Sequence, residues 1–286
     1  MSLLIRIFSF LPLSVLYFLA DYLLYPLIRH VVRYRLKLVC KNIRLSFPEK
    51  TEAELNAIVN AFYHHFSDVL VEIIHGYRAS DEEMRQRVCF ENMELLEDLA
   101  HKKHGAIAYL GHVCNWEWIA DVGNQFADKS IVEHNVYRRQ KNPRADKAML
   151  QLRAKRGGEC VEKNQLLRKL VQLRHAPYPF VIGLIADQKP SPRNAHVWTT
   201  FLNQDTAFLD GGEVLARKFD LGVVYVHITS IKRGYYRIHF ELITDDASSM
   251  PENEITLAYA RLLEDNIRQQ PARWLWSHNR WKYSRL

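Results

Sequence analysis

Apolar residues along this chain recur in two rhythms, one of helices and one of short buried strands. Between 51 and 75, Leu55, Ile58, Val59, Phe62, Phe66, Val69, Leu70 and Ile73 repeat at helical spacing. Thr51 and Glu54 match a capping box at the start of that run. Further helices are predicted over 92–103 (closed by Gly105), 116–126, 145–155 (stopped by Gly157-Gly158), 164–174, 211–219 and 254–269. Compact apolar runs predict strands over 106–110, 180–186 and 223–231, with 235–243 as hairpin partner of the last and a further strand within 129–137. Alternating strands and helices predict an α/β fold with a central parallel or mixed sheet flanked by helices. No repeat, low-complexity tract or linker divides 29–286, which reads as one domain.

The segment 3–28 stands apart. Its only charges are Arg6 and Asp21, and Pro12 and Pro26 interrupt it. About 20 apolar residues are needed to span a bilayer, so the segment qualifies only narrowly. It reads as an N-terminal membrane anchor over 1–28, spanning the bilayer or lying in its interface; the plainer reading is a buried core helix. A cleaved signal peptide fits poorly, because no small-residue cleavage site follows. Arg29, Arg33, Arg35, Lys37, Lys41 and Arg44 come next, with no acidic residue between Asp21 and Glu49. A basic flank beside an apolar segment marks the cytoplasmic side of a membrane, drawn to anionic headgroups. The plainer reading of this flank is a solvated helix face. The whole chain is basic, with formal net charge +7. That favours a nucleic acid, an anionic lipid surface or an acidic protein as partner, and no nucleic-acid motif is present. Cys40, Cys89, Cys114 and Cys160 show no C-x-x-C spacing and read as reduced thiols.

Candidate chemistry gathers where the strand at 106–110 ends, in Gly111-His112-Val113-Cys114-Asn115-Trp116-Glu117. Strand ends of this kind are the usual ligand sites of α/β sheets. On a single helix, His112 and Glu117 would stand about 140° apart. They meet only if His112 sits in a turn before the helix, with Glu117 holding one ring nitrogen and the other left as a general base. There is no G-x-S-x-G elbow, H-E-x-x-H or glycine-rich phosphate loop, and no His is paired with Cys114 by spacing. A base without a nucleophile points to direct transfer: His112 deprotonates a substrate hydroxyl, which attacks a carbonyl. Backbone N–H groups at the following helix start would face the oxyanion.

The G-H-x-x-N-W-E stretch, an H-x4-E motif, resembles the signature of the lysophospholipid acyltransferase superfamily. More narrowly, it resembles the bacterial lipid A biosynthesis (late) acyltransferases, the lauroyl/myristoyl transferases. Other motifs follow in order: Asn42-Ile43-Arg44 with Phe47-Pro48-Glu49, Tyr137-Arg138 with Asn142-Pro143, Arg153 and Arg156 before Gly157, and Ala186-Asp187-Gln188. The tail Pro271…Trp274-Leu275-Trp276…His278…Arg280-Trp281-Lys282 completes the set. The likeness runs from about residue 40 to the end. Phe201-Leu202-Asn203 and the 190–194 loop depart from the family pattern, in segments expected to border the substrate channel.

The resemblance implies a glycerol-3-phosphate acyltransferase-like fold and transfer from an acyl-acyl carrier protein, or acyl-coenzyme A, to a hydroxyl of a lipid A precursor. It places the catalytic domain on the cytoplasmic face of the bacterial inner membrane and requires neither cofactor nor metal. His112 would be the base and Glu117 its orienting carboxylate. Arg156, or else Arg153, would meet acceptor phosphate, with Arg138 also in the binding set, and Asp187 would shape the site. Each has a plainer reading: the three arginines as surface charges, Asp187 as a turn cap, Asn115 as a helix cap instead of a catalytic group, and the tail tryptophans as packing. Two rival functions remain at this point: the same chemistry on another lipid acceptor, and an inactive protein that binds anionic lipid.

Overall fold

The computed structural model describes residues 7–140, 142–155 and 157–283. Its helices are α1 (Leu13–Leu19), α2 (Leu36–Ser46), α3 (Glu52–Gly76), α4 (Asp81–Arg87), α5 (Met93–Lys102), α6 (Val122–Gln125), α7 (Pro143–Ala154), α8 (Leu166–Leu173), α9 (Gly211–Phe219) and α10 (Glu254–Gln269). Its strands are β1 (Val88–Glu91), β2 (Gly105–Leu110), β3 (Val132–Tyr137), β4 (Glu159–Glu162), β5 (Phe180–Ile185), β6 (Val197–Phe201), β7 (Gln204–Phe208), β8 (Gly222–Lys232) and β9 (Tyr235–Thr244). The main sheet has the order β1-β9-β8-β2-β5-β3-β4, and β6 pairs with β7 in a separate hairpin. Only β8 and β9 run antiparallel within the main sheet; every other neighbour pair is parallel. This is the mixed, helix-flanked sheet expected from the sequence.

Central position explains the composition of β2. Between β8 and β5, all six of its residues are buried, as for a parallel strand covered on both faces. The Thr51–Glu54 capping box forms as predicted. Glu54 N–H donates to Thr51 Oγ1 at 3.3 Å, and Thr51 N–H donates to Glu54 Oε2 at 2.8 Å. Strands β1 and β4 and the β6–β7 hairpin had no clear sequence signal. At four or five residues each, they are too short for a period to emerge.

Two expectations change. The helix predicted over 116–126 is a 3₁₀ segment, Trp118–Asp121, followed by the single turn α6, so Trp116 and Glu117 lie in the loop before it. That stretch is too short for a developed helix dipole, so the expected long-helix N-terminus does not form at this position. The N-terminal segment does not form one straight apolar helix. From α1 it continues through wide helical turns, Ala20–Leu24 and Leu27–Val31, then bends by 86° into α2. Among the described residues, no single helix is long and apolar enough to cross a membrane. Leu13, Leu16 and Ala20 pack against Val71 of α3, while Phe18 and Tyr22 are 60% and 72% exposed.

Candidate active site

Sheet register assembles the site. Leu110 of β2 pairs with Ile185 of β5, so both chains leave the sheet side by side. Two residues beyond each end stand His112 and Asp187. His112 Nδ1 lies 2.6 Å from Asp187 Oδ1, and the His112 backbone N–H donates to Oδ2 at 2.8 Å. Trp274 Nε1–H donates to the same Oδ2 at 2.8 Å. Gly111 admits this close approach: a Cβ there would lie 2.5 Å from Leu263 Cδ1 and 3.5 Å from Asp187 Oδ2.

Asp187 is fully buried, which by itself raises a carboxyl pKa. The charge and hydrogen bonds of His112, with the Trp274 indole, outweigh burial and bring it down to about 2. The carboxylate is therefore ionised at neutral pH and can only accept hydrogen bonds, so the proton between it and His112 belongs to Nδ1. Nε2 is then the free basic nitrogen. The Gln188 amide lies 3.4 Å from it. Trp116 meets the imidazole edge-on, with centroids 4.9 Å apart.

Glu117, expected to orient His112, does something else. Arg153, in the last turn of α7, donates to it twice, Nε to Oε2 at 2.9 Å and Nη2 to Oε1 at 2.8 Å. Trp116 Nε1–H adds a third bond to Oε1 at 3.1 Å. The orienting carboxylate in the structure is Asp187, because β5 lies next to β2 and brings its end beside the imidazole. Arg153 is consequently neither a free surface charge nor directed wholly at a ligand. Arg138 follows β3 and is exposed. Arg156 lies outside the described residues. Asn115 is no helix cap: its amide donates to Glu72 Oε2 at 2.8 Å in the core.

The C-terminal tail closes the turn from behind. Cys114 N–H donates to Arg273 O at 2.8 Å, and Leu275 N–H donates to His112 O at 3.1 Å. Cys114 takes φ +53, a left-handed conformation costly for a side-chain-bearing residue and held by this pairing. Its thiol is buried and pushed up to about 12 by that burial, with the charge of Arg273 opposing, which makes it no activated nucleophile. Trp274 and Trp276 are buried, as packing residues would be, but Trp274 also bonds to the central carboxylate. That role had no signature in the sequence, since the tail lies far along the chain from Asp187.

Beside this centre is a groove of about 240 Å³, bordered by Tyr34, Arg35, Phe66, Leu70, Trp116 and His278. Arg35 Nη1 donates to Ser277 O at 2.7 Å at its edge. Burial, joined by nearby cations, brings His278 down to about 4 despite the charge of Asp187, so it is neutral there at pH 7. The site therefore offers a His–Asp pair, a largely buried Glu–Arg pair and a mainly apolar groove past the carboxyl ends of the central strands β2 and β5.

The profile of the bacterial lipid A biosynthesis acyltransferases matches residues 2–283, nearly the whole chain. The chain belongs to that family. It is accordingly an acyltransferase of lipid A biosynthesis, and the sequence resemblance carried by the 112–117 turn and the C-terminal tail holds. Comparison with curated proteins found no match. For a lipid A acyltransferase, a half-buried His on a buried Asp next to an apolar groove has the ingredients of ester synthesis on a lipid hydroxyl.

Proposed function

We propose that this lipid A acyltransferase moves a fatty acyl chain from an acyl thioester, borne by an acyl carrier protein, to a hydroxyl of a lipid A precursor, with His112 as general base. The observation that carries the reading is the 2.6 Å pairing of His112 Nδ1 with ionised Asp187, which leaves Nε2 to take a proton. As the acceptor oxygen attacks the thioester carbonyl, Nε2 removes its proton. The new C–O bond forms, the tetrahedral centre collapses with loss of the C–S bond, and imidazolium returns the proton to the departing thiolate. Asp187 steadies the imidazolium while it exists. The Glu117–Arg153 pair fixes the floor beside Trp116, and Arg138 and Arg156 are assigned to acceptor phosphate on the strength of the family resemblance.

The formal charge of +7 suits an acidic carrier protein. The segment 1–28 is the anchor in this reading, and its described part suits an interfacial helix: Phe18, Tyr22 and Leu23 are exposed, and Arg29 and Arg33 follow. Such an anchor suits an enzyme working at the cytoplasmic face of the inner membrane.

The deciding experiment gives membranes carrying the protein a labelled acyl-acyl carrier protein and a lipid A precursor. Label should pass to the precursor, and His112→Ala should abolish the transfer. Undiminished transfer by His112→Ala would refute the base, and label entering only another lipid would refute the acceptor.

A further inference from the structure

Glu72 lies on α3, outside the motifs the sequence singles out, and is completely buried. One carboxylate oxygen, Oε1, accepts from the Tyr17 hydroxyl of α1 at 2.7 Å. The other, Oε2, accepts from Asn115 Nδ2 at 2.8 Å and from the Tyr236 hydroxyl of β9 at 2.7 Å. One side chain thus joins the exposed N-terminal helix, the sheet and the turn that carries His112.

A buried carboxylate is costly unless its lone pairs are filled, and here three donors fill them. Asn115 depends on Glu72 in return: among the described residues, its Oδ1 meets no hydrogen-bond partner. The Asn115 backbone carbonyl accepts from Trp118 N–H at 3.1 Å, so the orientation of residue 115 sets the path of the turn past Trp116. The helix end of the link is tightly built. Arg233 Nη1 and Nη2 donate to Asp21 at 2.8 and 2.7 Å, and its guanidinium stacks 4.2 Å over the Tyr17 ring. Gly234 is at φ +71, and a Cβ there would come within 2.1 Å of the Tyr17 hydroxyl.

We propose that Glu72 is a positioning residue for acyl transfer: by holding Tyr17 on one oxygen and Asn115 on the other, it makes the seating of the N-terminal helix a condition for the working shape of the His112 turn. The lipid-facing helix is then part of the catalytic apparatus and not a detachable tether. The inference rests on His112 as the base. Reactions of this type lose large factors in rate from small displacements of the reacting groups.

The test uses the full chain in anionic phospholipid vesicles, with the same labelled donor and acceptor. It reads kcat per folded molecule, counted from the amplitude of cooperative melting, together with KM. Tyr17→Phe removes one hydroxyl distant from the turn and should lower kcat several-fold with KM unchanged. Asn115→Asp sets two buried carboxylates against each other and should lower kcat about tenfold or more. Adding Glu72→Gln to Asn115→Asp restores a donor–acceptor pair of the original charge and should recover most of that loss, a coupling that a double-mutant cycle isolates. A wild-type kcat in Tyr17→Phe, or a double variant no better than Asn115→Asp, would overturn the proposal. Inactive His112→Ala alongside such results removes only the positioning role; active His112→Ala removes the base itself.

Discussion

Asp187→Asn is the sharpest perturbation of the site because it changes one proton and almost no shape. The carboxylate accepts three bonds, from His112 N–H, His112 Nδ1–H and Trp274 Nε1–H. An amide keeps the two bonds made to Oδ2 if its oxygen takes that place. Its NH2 then faces Nδ1, which must become an acceptor, and the ring proton moves to Nε2. The base is blocked at the atom that has to receive the substrate proton. The same exchange in a serine-protease triad costs about 10⁴ in kcat, or about 5.5 kcal/mol of barrier. A fall of roughly three to four orders of magnitude is expected here. The cost in stability is smaller, about 1.5–3 kcal/mol for one charge-assisted bond, so the variant should remain folded. Single-turnover transfer with labelled donor measures the first quantity and thermal melting the second. A folded Asp187→Asn enzyme within tenfold of wild type would refute the argument and return the orienting role to Glu117.

Two further predictions follow from buried charge. Arg153→Ala strands the Glu117 carboxylate and should destabilise the protein by about 3–5 kcal/mol, whereas Glu117→Gln combined with Arg153→Met should cost clearly less than the sum of the single changes; additive losses in denaturant titrations would contradict a desolvated pair. Glu133 is pushed up from 4.5 to about 8 by burial, against the lowering pull of the Asn135 amide and the Gly123 N–H. The folded state thus holds its proton after the unfolded chain has released it, so this contribution is intact below pH 4.5 and is lost as pH rises toward 8. Glu133→Gln should leave the melting temperature at pH 4.5 nearly unchanged and raise it at pH 8; an identical slope in both proteins would rule out this group.

The sequence carried the class of fold because each long element holds its own signal. The α3 periodicity, the Thr51–Glu54 box and the apolar run of β2 act within a few residues of chain. It also carried the position of His112, the proposed base, which follows a strand end wherever the other strands lie. The family motifs marked Asp187, Arg153 and Glu117 but gave Glu117 to His112, where the structure gives Asp187 to His112 and Glu117 to Arg153.

That pairing is a tertiary fact. Glu117 is five residues from His112 and Asp187 is 75 away, yet the parallel register of β2 with β5 delivers the distant carboxylate and the loop after β2 turns the near one toward α7. Nor does chain order foretell that Trp274 reaches the site, that Glu72 joins α1 to Asn115, or that the N-terminal segment bends by 86° into α2. By itself the sequence determined the longer local elements, the family and the place of the candidate His112, all encoded in short stretches. Partner choice among buried charges was decided only by the tertiary structure, because a desolvated carboxylate must take whichever donors the packed strands and tail bring within hydrogen-bonding distance.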